Sequence, residues 1–387
     1  MKIRGSIIED LAFGALLALD NLCRFVPRPS GKRAVVVRVD AVGDHFLWLR
    51  TGAVDVSRYA RAEVERVVLV TSPAVAPYAR ESGLWDDVLE LSELRFLLNP
   101  VYRLRVLRRI RSLGAALLIQ PRASRALWLE DAIARVCGIP RKIGSTGTLL
   151  RASESQRKRG DGYYGQLIPI DGGPSVHEST RNVQFVQGLQ GHLPTEFRFE
   201  RPAGGVTGTR LLVALGAGAR GRVWPIEKLA RVVAHIADAH PGVRILVAGT
   251  KADVPAADRL QELAGVRFEN RVGSTTLRQF VELVASCDLT VCNESAAYHI
   301  ARAYGRQVVC LLGGGHYGTF VPYPASFPRQ GSSGSCRDLS VQLSCFGCNW
   351  RCVHRRPQSG AYKCIDEITA ESVIEAVDAL LSESGER

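Results

Sequence analysis

Four short stretches carry the residue types that could do chemistry. The first, "LLVALGAGARGRVWP" (211–225), runs an apolar strand into Gly216, Gly218 and Gly221. Glycines so spaced let backbone amides approach an anion, and Arg220 and Arg222 add positive charge at the same turn. G-x-G-x-x-G also spells a dinucleotide fingerprint, but two of its requirements fail. Trp224 and Pro225 interrupt the run into the next helix, and the following strand ends in Ala248-Gly249-Thr250 with no acid at its tip. The turn therefore reads as a phosphate-approaching loop, with a plain strand-to-helix turn carrying solvated arginines as the alternative. The second stretch is "NESAAYH" (293–299). Ser295 and Ala296 are expected to open a helix whose amides and positive end face a phosphate. His299 lies four residues on, on the same helical face, unless it is a satisfied buried histidine. Glu294 is long enough to reach a sugar hydroxyl. Beyond Gly249, Asp253 is the first choice for binding ribose hydroxyls and Glu262 the second.

The third stretch is "AVVVRVDAVGDHF" (34–46). Asp44 sits where a strand turns into a helix, so its carboxylate can take a proton from a hydroxyl. It could instead cap the helix. Asp40 competes for the first role, and His45 reads as a helix-face residue. The fourth is "CFGCNWRCVHRRPQSGAYKC" (345–364). Cys345, Cys348, Cys352 and Cys364 can close a tetrahedral thiolate site around zinc or a single iron, with Cys336 and His354 in reserve. Two disulfides or free thiols are the alternative. The other five cysteines sit in apolar segments as small buried hydrophobes.

These groups need a scaffold, and the chain alternates strands with helices twice. "AVVVRVD", "ERVVLVTS", "WDDVLELS" and "AALLIQP" alternate with helices in the first half; "RLLVALG", "VRILVAGT", "LTVCNES" and "QVVCLLGG" do so in the second. Repeated βαβ predicts two doubly wound parallel sheets, with ligands at strand C-termini facing a cleft between them. The expected divisions are an amphipathic N-terminal helix (1–30), a first Rossmann-like domain (31–185), a linker (186–208), a second domain (209–368) with a Cys-rich loop (336–364), and a C-terminal helix (369–387). Residues 151–208, rich in Gly, Ser, Arg and Pro, read as irregular loops. The net charge of +12 points to anionic partners. "RLRVLRRIRSLG" sets Arg103, Arg105, Arg108, Arg109 and Arg111 on one helix, either as a solvated face or as a contact for a phosphorylated glycolipid or membrane surface. No zinc-finger helix or RNA-binding aromatic pattern favours nucleic acid. The apolar run Leu11–Leu19 is too short to span a bilayer and lacks a cleavage site, which implies a cytoplasmic, reducing setting.

Four segments in order, "VVVRVDAVGDHFLWL", "LLVALGAGARGRVWPIEKLARVV", "VRILVAGTKAD" and "LTVCNESAAYHIARAYGRQVVCLLGG", resemble glycosyltransferase family 9, the lipopolysaccharide heptosyltransferase family. The resemblance implies a GT-B α/β fold with an acceptor half first and a nucleotide-sugar half second. It implies Asp44 as catalytic base and Arg222 at the family's basic position. It also implies transfer of a heptose or related sugar from an ADP-heptose-like donor to a lipopolysaccharide-type or other glycan. A base and a leaving group on opposite sides of the sugar would make that transfer inverting, and the expected setting is the cytoplasm, either free or peripheral on the inner face of the cytoplasmic membrane. The family usually has Asp and Gly where this chain has Glu294 and Ala296. Some relatives that modify proteins hold iron on C-terminal cysteines, which agrees with the cluster. No Asp-x-Asp sequence is present to hold a divalent ion on a sugar nucleotide, so no catalytic cofactor is expected. A sugar-nucleotide epimerase and a non-catalytic sugar-nucleotide-binding protein are the competing readings.

Overall fold

Short runs of Val, Leu and Ile, buried on both faces, build the strands, as parallel sheets require. In the computed structural model, which describes residues 7–173, 175–195, 199, 208–325, 327 and 335–385, they form two six-stranded sheets. The first contains β1 (Arg33–Val37), β2 (Arg66–Thr71), β3 (Asp87–Glu90), β4 (Leu117–Gln120), β5 (Arg141–Ser145) and β6 (Gln166–Ile168), in the order β3-β2-β1-β4-β5-β6. The second contains β7 (Arg210–Ala214), β8 (Arg244–Ala248), β9 (Glu269–Asn270), β10 (Leu289–Asn293), β11 (Gln307–Leu311) and β12 (Cys336–Leu339), in the order β12-β11-β10-β7-β8-β9. Every pairing is parallel. The chain divides into two compact units, Met1–Phe197 and Arg198–Arg387, each with its own apolar core.

Strand order reverses once in each sheet, between β1 and β4 and between β7 and β10. At such a switch point the loops leaving the two strands diverge and open a crevice at their C-terminal ends. The residues there are Asp40, Asp44 and Arg122 in the first unit, and Arg220, Arg222, Glu294 and Ser295 in the second.

Two sequence expectations are corrected here. Residues 151–195 are not irregular: they contain helix Glu154–Asp161, strand β6 and helix Glu178–Gln190. Ser153 and Gln156 close a capping box at the first of these helices. The second is hard to see in sequence because its buried face carries Glu178, Arg181 and Asn182 beside Phe185 and Val186. Residues 196–198 and 200–207 of the expected linker lie outside the described residues. The arginine-rich helix Pro100–Ser112 likewise does not present five solvated charges. Arg103 is fully buried, Arg111 donates to the carbonyls of Arg24, Val26 and Val136, and only Arg105, Arg108 and Arg109 are exposed.

Arg103 binds the N-terminal helix Ile7–Asn21 to the first unit. Its Nε and Nη2 donate to the two carboxylate oxygens of Asp20 at 2.5 and 2.7 Å, its Nη1 donates to the Trp128 carbonyl, and its guanidinium lies over the Phe96 ring. Both side chains are completely buried. The C-terminal helix Ala370–Gly385 packs Val373, Val377 and Leu380 into the core of the second unit. Among the described residues no helix is long and apolar enough to cross a membrane.

Removing one partner of a buried charge pair leaves the other charge uncompensated, which costs roughly 3–5 kcal/mol. Asp20→Ala is therefore expected to lower unfolding stability by about that amount in a denaturant titration. A change below about 1 kcal/mol would show that the N-terminal helix is not anchored through this pair.

Candidate active site

In the first unit, β1 ends at Val37 and the chain turns through Arg38–Ala41 into helix Val42–Trp48. The residue before the helix is Ala41, which makes no side-chain cap, and Asp44 lies in the first turn rather than at the cap. That removes the capping alternative. Asp40, its competitor, is consumed in ion pairs: it is buried, accepts from Arg38 Nε at 2.5 Å and lies 3.6 Å from Arg122 Nε. Arg38 is itself fixed by Asn182 at 2.9 Å, by Glu178, and by the Trp48 face at 5.0 Å. Asp44 is half-buried and makes no hydrogen bond or ion pair among the described residues. Burial first, and then the negative charge of Asp40, push its carboxyl up to about 7, against the opposing pull of Arg122. A half-buried, unpaired carboxylate that titrates near neutrality is suited to general-base work. His45 is buried against Phe46, Trp48 and Tyr78, and burial lowers its ring to about 4, so it stays neutral. Both its nitrogens are buried.

In the second unit one side chain ties the switch point together. Asn293, the last residue of β10, donates from Nδ2 to the Leu215 carbonyl at 2.8 Å and accepts from the Trp224 backbone N–H at 3.0 Å. It thereby fixes both ends of the loop 215–224. Within that loop, residues 220–222 make one 3₁₀ turn, and helix Ile226–Ala239 begins after Pro225. Arg220 is exposed. Arg222 points inward, and its Nη2 pairs with Glu294 Oε1 at 3.0 Å and donates to the Glu294 carbonyl at 3.2 Å. Its Nη1 faces Gly218, where an added Cβ would stand 3.2 Å away. Glu294 is 5% exposed and its Oε2 has no partner among the described residues. Burial raises the Glu294 carboxyl to about 7, opposed by Arg222.

The remaining predicted residues fall as follows. Ser295 precedes helix Ala296–Ala303 and makes no side-chain cap, which leaves its hydroxyl and the first amides of the helix half-exposed. His299 is buried and its Nδ1 hydrogen-bonds the Tyr323 hydroxyl at 2.8 Å, the arrangement of a satisfied core histidine. Asp253 turns its carboxylate back, accepting from the Thr250 N–H and hydroxyl at 2.7 Å each, and packs against Gly216 and Gly249. Its carboxylate is thus engaged within its own turn, as the N3 acid of a capping box. Glu262 pairs with Arg259 on the exposed face of helix Val254–Ala264.

All ten cysteines are free. Cys336 is not in the Cys-rich loop: it lies on β12 beside Asp338 and Tyr298. Cys345, Cys348, Cys352 and Cys364 gather near one point. Burial and the other three thiols raise the Cys364 thiol, whose sulfur accepts the Gly314 N–H. The four do not form a tight ligand set. Among the described residues, a group of three ligand-type atoms within 4.8 Å of one another occurs at His235, His240 and Asp378, where both imidazoles hydrogen-bond the carboxylate. The loop carrying the cysteines also brings Trp350 and Tyr362 against the glycine turn 216–222. Trp350 lies 4.5 Å from the Arg222 guanidinium and stacks on Tyr362, which donates its backbone N–H to the Gly221 carbonyl at 2.7 Å. Asn293, Arg38, Arg122 and Trp350 are the site residues that sequence reasoning missed.

Two parallel Rossmann-like sheets, each with its polar residues at the switch point, define a GT-B architecture. Residues 190–336 match the family model described as glycosyltransferase family 9 (heptosyltransferase). The chain is similar to that family over this segment. It is 22% identical over 195 residues to lipooligosaccharide heptosyltransferase 2 of Campylobacter jejuni, a match covering 49% of this chain and 57% of that protein. The chain thus spans little more than half the length of the curated relatives it matches. Its fold is similar to that of the E. coli ADP-heptose LPS heptosyltransferase II, with a TM-score of 0.64, 18% identity, and coverage of 91% of this chain and 99% of that one. It is also similar to the iron-containing dodecameric glycosyltransferase TibC from enterotoxigenic E. coli, with a TM-score of 0.52, 13% identity, and coverage of 93% and 81%.

The raised carboxyl of Asp44 has a sign that can be checked. Its folded pKa exceeds its unfolded value, so ionising it costs stability; the penalty is full above about pH 7 and is relieved progressively as pH falls from there toward the ordinary value of 3.8. Asp44→Asn is expected to stabilise the protein at pH 8 by on the order of 2 kcal/mol, with the gain shrinking as pH falls and vanishing only below about pH 4. Thermal unfolding at the two pH values measures it. A loss of stability, or a gain independent of pH, would mean that the carboxylate is not held at a cost.

Proposed function

We propose that this protein is a glycosyltransferase that moves a heptose or related sugar from a nucleotide-sugar donor, ADP-heptose or a close analogue, to a glycan acceptor. The observation that carries the reading is the disposition of Arg222. One edge is occupied by Glu294 and the other is aimed at a glycine turn that can admit a diphosphate. The heptosyltransferase names of the relatives supply the sugar and the lipopolysaccharide-type acceptor.

In this reading the second unit holds the donor. Arg222 and Arg220, with the half-exposed amides at Ser295 and Ala296, bind the phosphates and offset the charge that develops on the leaving diphosphate. The unpartnered Oε2 of Glu294 accepts from a donor hydroxyl. In the first unit Asp44 takes the proton from the acceptor hydroxyl as that oxygen attacks the anomeric carbon. The nucleoside diphosphate leaves from the opposite face, so the configuration inverts. The exposed Arg105, Arg108 and Arg109, with exposed Leu98 and Val101 nearby in sequence, would meet a phosphorylated glycolipid at the inner membrane surface. The four loop thiols are soft donors suited to zinc or iron, which would pin a segment of little regular structure. Stoichiometric metal in the purified protein, lost in Cys348→Ser, is the expected result, and metal-free wild-type protein would refute that role.

A thermal-shift screen of nucleotide sugars identifies the donor, because a ligand bound to the folded state raises its melting point. With that donor and an acceptor glycan, Asp44→Asn should lower kcat by roughly 10²- to 10⁴-fold. In the wild type, kcat/KM should rise with pH through about 7, as Asp44 must be ionised to act. NMR of the product should show inverted configuration at the anomeric carbon. Retention, or full activity in Asp44→Asn, would refute the mechanism.

A further inference from the structure

The Cys-rich loop does something besides carry cysteines. Its Trp350 lies face-on to the Arg222 guanidinium at 4.5 Å. Several independent features hold that ring in place. Trp350 and Asn349 both adopt left-handed backbone angles, φ 58° and 50°, a region that non-glycine residues occupy only where the surroundings impose it. The Asn349 side chain is tied to His316 Nε2 at 2.7 Å. The glycine run 313–315 forms the bed of the loop: a Cβ on Gly313 or Gly315 would collide with the Trp350 ring, and one on Gly314 with Phe346. Tyr362 closes the other face of the ring by stacking, and it fills the space where Gly221 would need a Cβ. The indole N–H is buried with no acceptor among the described residues, so the ring makes no hydrogen bond of its own there and is held by its contacts and its backbone.

We propose that Trp350 is a positioning residue for the donor diphosphate. It fixes the plane of Arg222 so that Nη1 is held toward the Gly216–Gly218 turn while Nη2 stays on Glu294. An arginine side chain loses considerable rotamer freedom when it is fixed. Here that ordering precedes ligand binding, supplied by a flat π face and one carboxylate, and a planar guanidinium matches a diphosphate only when its plane is set. The glycines at 221, 313 and 315 acquire a reason in the same stroke: they leave room for a ring pair rather than for a ligand. This inference rests on the donor-site reading of the second unit.

The test uses the full-length protein and calorimetric binding of ADP, GDP and UDP, with the matching nucleoside as control. The tightest diphosphate is carried forward. Arg222→Ala should weaken it strongly and leave the nucleoside unaffected. Trp350→Leu, which keeps apolar bulk but removes the π face, should weaken the diphosphate roughly 3- to 30-fold. Trp350→Phe should restore most of the affinity, and the double variant Trp350→Leu/Arg222→Ala should bind no worse than Arg222→Ala alone. Trp350→Leu binding as tightly as the wild type, or losing the nucleoside equally, would overturn the positioning role while leaving the donor site standing. Trp350→Phe binding as weakly as Trp350→Leu would overturn it too. Arg222→Ala without effect, or no binding of any diphosphate by the wild type, would overturn the donor-site reading and this inference with it.

Discussion

The proposed donor site depends on one largely buried ion pair. Arg222 and Glu294 come from loops that leave the two strands on either side of the second sheet's switch point, and they meet because Asn293 fixes both ends of the first loop. A pair of this kind is no bargain for stability, since desolvating both charges offsets much of their attraction. The strain is visible in Glu294, whose carboxyl is pushed up to about 7 even with an arginine beside it. What the pair provides is direction. It holds a cation at the mouth of a glycine turn with one edge committed and the other free, ahead of any ligand.

The first unit solves a different problem with the same materials. Two aspartates lie four residues apart at the end of β1, and only one can serve as a base. Asp40 is neutralised by Arg38 and Arg122, and those arginines are in turn fixed by Glu178, Asn182 and Glu130. Asp44 is left unpaired in a half-buried position beside that negative charge, which raises its proton affinity toward neutral pH. Two neighbouring carboxylates are thus driven apart in role by their surroundings. The expected cost is lost stability above neutral pH, as where function and folding make opposite demands on one side chain.

How much of this was legible varied with how local the signal was. Asp44, Arg222, Glu294 and Ser295 could be read because each follows a valine- or leucine-rich strand, where parallel sheets place their sites. Their partners could not. Helix Glu178–Gln190 buries Arg181 and Asn182 where a period of apolar residues would have announced it, so the contacts to Arg38 were hidden in a stretch that looked like loop. Arg103 was disguised in the same way: a buried arginine among exposed ones leaves no mark in composition. Asp253 looked like a ribose ligand, but Thr250 three residues before it was a capping partner in plain view. Trp350 had no local signal at all, because its position is set by glycines more than thirty residues earlier in the chain.

The central claim is that Glu294 holds Arg222 by Nη2 so that Nη1 is presented to a phosphate, which then shares that guanidinium's charge. If so, Glu294 loses some of its counter-charge when a nucleoside diphosphate arrives, and its carboxyl takes up a proton near pH 7. Calorimetric titration of ADP at pH 7, in two buffers of different ionisation enthalpy, reads that proton directly. The account predicts uptake in the wild type beyond what remains in Glu294→Gln. Equal proton uptake in the two proteins would contradict it.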